Sequence, residues 1–421
     1  MLRPKLATTL ADGIVPTHGD KRGQLFKVIA IMIGLALSLL VIEAALRLLP
    51  AQQELGLESF SSPDAVLNHY HRAGFQGRYR SVRGEFDTEV TLNSRGLRDR
   101  EYSISKPTGT FRILVLGDSM VEAAQVPLEK TFVKLLEQRL NQPDGHQFEV
   151  LNAGVASYSP ALEYLFLKTR GLEFQPDLVI VVFFANDVTD DYIYTHHPRA
   201  VFDEQGLPVM LPSLVEPQND SLSLKGLLRH FATYRFLSDK TFELCDFCRR
   251  YGLVRPRSAY RSDGGLKQNP LAIFDPAETA EDEEAWNRTL LYLEGIHRLA
   301  ASRDAQTALV VMPFPAQVSE KEFREGKRAM GLPTTYHING RAMQERLASF
   351  SQEHSLWHVD LLPVHKTAAA SGLLYLAFDG HLNAAGHRVT AEALYESLIS
   401  SPLLPDGGGL AVKKPVASVS E

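Results

Sequence analysis

The chain has 421 residues, 44% hydrophobic and 22% charged, enough for one large domain with appendages or for two domains. Its 44 Lys and Arg against 50 Asp and Glu leave a formal charge of −6. With no basic stripe interleaved with aromatics, that balance excludes a polyanion binder, and no nucleic-acid partner is expected.

The chain opens on a polar stretch, 1–24, expected to be a disordered cytoplasmic tail. Val28–Ile42 is then unbroken apolar apart from Gly34 and Ser38. That run alone falls short of a bilayer's roughly 30 Å hydrocarbon core. Residues 25–49 reach it, with Lys27, Glu43 and Arg47 near the ends, where such side chains snorkel. No small-x-small cleavage site follows and the run has no polar stripe. An uncleaved transmembrane anchor is therefore expected in preference to a cleaved signal peptide or a core helix. Arg3, Lys5, Lys21, Arg22 and Lys27 precede the run, against Asp12 and Asp20. The positive flank keeps the N-terminus cytoplasmic and exports everything after about residue 50, to the periplasm or the cell exterior. Residues 50–108, with Tyr70, Phe75, Tyr79 and Phe86 spaced through them, read as a lead-in packed on the main domain.

From Phe111 onward strands alternate with helices. Strands are predicted at 111–116, 148–152, 178–184, 307–312 and 357–360, and helices at 131–141, 161–171, 283–303, 339–353 and 384–399. The third and fourth strands are apolar throughout, as in a parallel sheet covered on both faces. The alternation predicts a doubly wound α/β domain over 109–400, with a five-stranded parallel sheet. One connection is far longer than the others: an insertion at 188–282 leaves the carboxyl edge of the sheet, where it is placed to cover a site. It holds an amphipathic stretch, Leu224 to Arg250. It ends on Asp275-Pro276-Ala277-Glu278, which reads as an N-cap, a proline at N1 and a capping-box glutamate.

Cys245 and Cys248 form a C-x-x-C pair, read as a local disulfide or an incidental pair. Zinc would need two more ligands, and a redox site would need to open a helix in a βαβ unit. No metal and no organic cofactor is expected. The tail 401–421, with Gly407-Gly408-Gly409 and Lys413-Lys414-Pro415, reads as disordered.

Four stretches fall at the carboxyl ends of predicted strands, where open α/β sheets place their ligands. The first strand delivers Gly117-Asp118-Ser119. The second delivers Asn152-Ala153-Gly154, and the third Ala185-Asn186-Asp187. The loop after the fifth delivers Asp379-Gly380-His381-Leu382-Asn383, ahead of the last helix. Ser, His and Asp are the parts for nucleophilic catalysis, the imidazole activating the hydroxyl and the carboxylate orienting the imidazole. Each block alone also suits a turn or a helix cap. Asp118 reads as a cap or brace of the serine loop, Asp360 as a turn residue, and His387 as a helical histidine.

In order and spacing these blocks resemble the SGNH, or GDSL, hydrolase family, over about residues 109–400. The resemblance implies an SGNH/flavodoxin-like fold and a serine esterase. Ser119 would be the nucleophile, His381 the general base and acid, and Asp379 the orienting carboxylate. The oxyanion would be held by the Ser119 N–H, the Gly154 N–H and the Asn186 side chain. Two departures stand out: one residue instead of two separates Asp379 from His381, and Ala123 and Ala124 stand where many members have glycine. Asn93-Ser94-Arg95-Gly96-Leu97-Arg98-Asp99 is similar to a segment of membrane-anchored relatives and carries no evident chemistry. The favoured substrate is an O-acetyl ester of a carbohydrate or cell-surface glycan. The alternatives are an O-acyltransferase using the same acyl-enzyme, and a catalytically silent glycan-binding or assembly module.

Overall fold

In a computed structural model of the chain, residues 21–48, 60–81, 83–142, 147–213, 231, 233–234, 273–274, 279–330 and 332–405 are described. Residues 1–20 and 406–421 of the expected tails, almost all of 224–250 with Cys245 and Cys248, and the helix-start signal at 275–278 lie outside them; the inner ends of the tails are ordered instead, 21–24 in a helix and 401–405 packed through Ser401 and Leu404. The chain divides into two compact units, Met1–Gln52 with Asn219–Phe242, and the remainder.

In the first unit, α1 (Lys21–Leu48) is one helix of 28 residues. Within it Leu25–Leu46 is long and apolar enough to cross a membrane. Its side chains, Leu37 and Leu40 among them, are exposed. Ser38 Oγ donates to Gly34 O at 2.8 Å, so its hydroxyl is satisfied within the helix, as an apolar surround requires. Thr233 donates to Glu43 Oε2 through its N–H and its hydroxyl, at 2.9 and 2.8 Å.

The second unit opens on two antiparallel pairs, β1 (Ser61–Pro63) with β2 (His69–His71) and β3 (Gln76–Arg80) with β4 (Asp87–Thr91). Then come β5 (Thr110–Gly117), α2 (Ser119–Glu122), α3 (Phe132–Leu140), β6 (Gln147–Gly154), α4 (Pro160–Thr169), β7 (Leu178–Phe183) and α5 (Asp187–Thr195). A small antiparallel pair, β8 (Val201–Phe202) and β9 (Pro208–Met210), lies in the insertion after α5. The chain continues through α6 (Ala280–Ala301), β10 (Gln306–Val311), α7 (Pro315–Val318), α8 (Arg324–Ala329), α9 (Ala342–Glu353), β11 (Trp357–Asp360), α10 (Leu362–Ala368) and α11 (Ala384–Ile399).

All five predicted strands form, in one parallel sheet of order β11-β10-β7-β5-β6. Counted along the chain this is the 2-1-3-4-5 order of a doubly wound fold, with its switch point beside β5. Alternate side chains face two layers. Leu114, Leu116, Val179, Val181, Leu309 and Val311 pack on Phe166 of α4, Trp286 of α6 and Leu347 of α9. Ile113, Val115, Ile180, Val182 and Val310 pack on Phe132 of α3 and Leu394 of α11. Burial on both faces is why these strands read as continuous apolar runs.

Two helix starts differ from the sequence reading. For α6 the capping box lies later in the chain. Thr279 Oγ1 accepts from Asp282 N–H at 3.2 Å and Asp282 Oδ2 accepts from Thr279 N–H at 2.9 Å, so the helix begins at Ala280. α9 begins at Ala342 because Gly340 runs against the backbone of Phe274, where an added Cβ would lie 1.9 Å from Phe274 O.

The lead-in packs on the main core. Leu67, Tyr70, Leu97 and Tyr102 join the layer that holds α4, while Phe60, Val90 and Leu92 form a small cluster on Ala124, just past α2.

Candidate active site

β5 ends where α2 must turn sharply away. Gly117 makes room, since a Cβ there would meet Val121 Cγ2 at 2.2 Å. Asp118 caps α2, its Oδ1 accepting from Met120 N–H at 2.8 Å. Ser119 is the first residue of this one-turn helix, so its N–H has no acceptor within it. The helix stops at Ala123, which takes the left-handed φ of 53° that glycine adopts at less cost.

The carbonyls at that end are held by a residue for which the sequence suggested no role. Arg98, 1% exposed, donates through one guanidinium nitrogen to Glu122 O and Ala123 O, both at 2.9 Å, and through another to Val126 O. Burial lowers its pKa to about 10, opposed by the charges of Glu122 and Asp99, so it remains a cation at neutral pH. Asp99 braces the neighbouring strand, its Oδ2 accepting from Asn152 N–H at 2.8 Å while Lys134 Nζ donates to Oδ1 at 2.9 Å. Asn93 Oδ1 closes the turn before them, accepting from Arg95 N–H and Leu97 N–H. The whole Asn93 to Asp99 stretch thus supports the serine loop and β6.

Ser119 Oγ lies 2.7 Å from His381 Nε2, and His381 Nδ1 lies 2.5 Å from Asp379 Oδ1. An ionised carboxylate only accepts, so Nδ1 carries the proton and Nε2 is left to receive one from the hydroxyl. The shortened Asp-Gly-His spacing works because Gly380 takes φ 85° and Asp379 Oδ1 also accepts from His381 N–H at 3.4 Å. Two further backbone bonds close the loop, Leu376 N–H to His381 O at 2.8 Å and Gly380 N–H to Leu376 O at 3.2 Å. Burial by itself would lower the His381 pKa. The hydrogen bond and charge of Asp379, with the charges of Asp118 and Glu122, outweigh it and hold the pKa above the ordinary histidine value.

The residues expected to hold an oxyanion divide. Gly154 has a single N–H, and it donates to Asn152 Oδ1 at 3.0 Å. The local turn thus engages the N–H that was expected to face an oxyanion. Glycine is required there for another reason, since a Cβ would fall 2.2 Å from Glu122 N. Asn186, just past the end of β7, donates from Nδ2 to Asp190 Oδ2 at 2.7 Å, and its side chain also hydrogen-bonds Asp118. Its Oδ1 is buried without a partner among the described residues.

Beneath the serine loop lies a set of buried carboxyls. Burial raises the pKa of Asp118 to about 6 and those of Asp190 and Asp191 to about 7; Glu163 and Asp187 are raised well above their usual range. Glu122 accepts from Ala156 N–H at 2.6 Å and lies 3.5 Å from His71 Nε2, both side chains fully buried. The other candidates have structural positions. His387 Nδ1 accepts from Phe132 N–H at 3.2 Å, and burial lowers its pKa to about 3. Asp360 accepts from Arg341 and from Leu362 N–H. Among the described residues no group of three or more His, Cys, Asp or Glu is arranged to hold a metal.

No family model and no curated protein matches the chain. Solved structures do. A member of the lipolytic protein G-D-S-L family from Veillonella parvula is similar at 12% identity over 68% of this chain and 97% of that one, with a TM-score of 0.35. An acetyl xylan esterase is similar at 12% identity over 68% of this chain and all (100%) of that one, also at 0.35. A catalytic mutant of an acetylxylan esterase from Geobacillus stearothermophilus is similar at 10% identity over 68% and 94%, at 0.37.

Proposed function

We propose that the chain is a serine esterase of the SGNH type, with Ser119 as nucleophile, His381 as general base and acid, and Asp379 as the carboxylate that orients the imidazole. The observation that carries this reading is the unbroken contact from Ser119 Oγ through His381 to Asp379. His381 Nε2 takes the hydroxyl proton as Oγ attacks the ester carbonyl, then returns it to the departing alcohol. Water repeats the sequence to release the acid. The negative oxygen of each tetrahedral intermediate is met by the Ser119 N–H and an N–H of the Asn186 amide.

The finer reading is an O-acetyl ester on a carbohydrate or cell-surface glycan. It rests on α1 serving as an anchor, cytoplasmic at its basic end, with the second unit exported among surface sugars. The test is hydrolysis of p-nitrophenyl acetate and of acetylated oligosaccharides by the full chain and by Ser119→Ala. Loss of hydrolysis in the variant with an unchanged melting curve is expected; equal activity in the two proteins would remove Ser119 from its role. Release of free acetate, against its transfer to an added oligosaccharide, separates an esterase from an acyltransferase.

A further inference from the structure

The lead-in reaches the second half of the site as well as the first. Between β3 and β4 the chain turns tightly, Ser81 N–H donating to Phe86 O and Gly84 N–H to Ser81 O, each at 3.0 Å. The tip presents Glu85. Its Oε1 accepts from Phe378 N–H at 2.8 Å and its Oε2 accepts from Asp379 N–H at 3.0 Å. Arg83 lies over the Phe378 ring, its guanidinium carbon 3.4 Å from the centroid. One carboxylate therefore grips two consecutive amides, one of them belonging to the residue that orients His381. A second carboxylate, Glu322, holds the start of the same return loop at Leu374 N–H and Tyr375 N–H, but touches neither Asp379 nor His381.

The short Asp-Gly-His spacing gives this grip its consequence. Asp379 Oδ1 serves both His381 N–H and Nδ1, so the rotation of the 378–379 peptides sets the direction in which the carboxylate points. We propose that Glu85 is a positioning residue of the Ser119 centre: by fixing the amides of Phe378 and Asp379 it aims the Asp379 carboxylate at the imidazole. The inference rests on the esterase reading of Ser119, His381 and Asp379.

The test uses the full chain in detergent micelles and follows the rate at which a fluorophosphonate labels Ser119 across pH, a readout of serine activation whatever the natural ester. The groups facing the imidazole are Asp379, Ser119, Asp118, Glu122 and His387; Tyr79 and Glu85 face Asp379. Only Glu85 is changed. A misaimed carboxylate slows the reaction and supports the imidazolium less, so Glu85→Ala is expected to label about 10–100-fold more slowly. The acid limb of its profile is expected at lower pH. Glu85→Gln keeps one acceptor oxygen and should fall between Glu85→Ala and the parent in both respects.

Labelling of Glu85→Ala within twofold of the parent, or slower labelling with an unmoved limb, would overturn the proposal. Coincident limbs for the Gln and Ala variants would assign the effect to charge through space and overturn it equally. Should Glu85→Ala fail to fold, Glu85→Gln carries the test alone, and a parent-like rate and limb would refute it. A parent that does not label, or a Ser119→Ala protein that does, would instead remove the reading of Ser119 on which the inference stands.

Discussion

Asn186 stands at the carboxyl end of the central strand with its amide shared between two carboxyls. One N–H is given to Asp190, whose pKa burial raises to about 7, and Asp118 also bonds the side chain. An amide N–H turned from a carboxyl to the developing oxyanion is a bond made chiefly in the transition state. Asn186→Ala is then expected to lower kcat by roughly 10²–10³ with KM little changed. The fold should hold, because Asn186 Oδ1 binds nothing among the described residues and Asp190 is already raised toward neutrality. Kinetics with a short acyl ester, beside a melting curve, check this. A kcat within a few-fold of the parent would move the oxyanion elsewhere. At this scale the four blocks were legible as residue types in order, while the use of each N–H was less so. The Gly154 N–H was read toward a substrate, yet the asparagine two residues before it is the ordinary signature of a side chain closing its own turn.

A one-turn helix has almost no stability of its own, and α2 keeps its place through what surrounds its ends. Asp118 serves the amino end and the buried guanidinium of Arg98 serves the carbonyls at the other. Arg98→Met keeps most of the side-chain volume and takes the guanidinium from the buried carbonyls of Glu122 and Val126, while Ala123 O keeps its bond from Val126 N–H at 3.2 Å. A loss on the order of 3–5 kcal/mol is expected, seen as a lower melting temperature. Esterase activity should fall with the folded fraction. Unchanged melting would show that water or a shift of the loop replaces the guanidinium. Arg98 holds an element, whereas Glu85 aims a side chain. Strands and long helices were readable because burial writes itself as apolar periodicity over many residues. The Arg98 and Glu85 contacts were not, since a turn-forming stretch carries no mark of where its side chain lands. The Glu85 contact with Phe378 joins residues 293 apart in the chain.

At the scale of the whole unit, Asp191 ties three helices together. It sits on α5, its Oδ1 accepts from Ala161 N–H of α4 at 2.9 Å, and its Oδ2 accepts from Thr289 Oγ1 of α6 at 2.8 Å. Burial raises its pKa to about 7 despite the hydrogen bonds it accepts from Ala161 and Thr289. Between about pH 4 and pH 7 the folded protein therefore keeps a proton that the unfolded chain has released. Stability then falls as pH rises through that window and levels off above it. The neighbouring carboxyls are raised as well, so the unit is arranged to hold protons beneath its serine loop. Asp191→Asn cannot titrate. Its stability relative to the parent is expected to rise from pH 5 to pH 8, whatever constant offset the altered hydrogen bonds introduce. Melting temperatures of the two proteins across that range measure the difference directly. A difference that stays flat with pH would mean that Asp191 is ionised throughout, which its buried hydrogen bonds from Ala161 and Thr289 would then have to sustain against the surrounding acids.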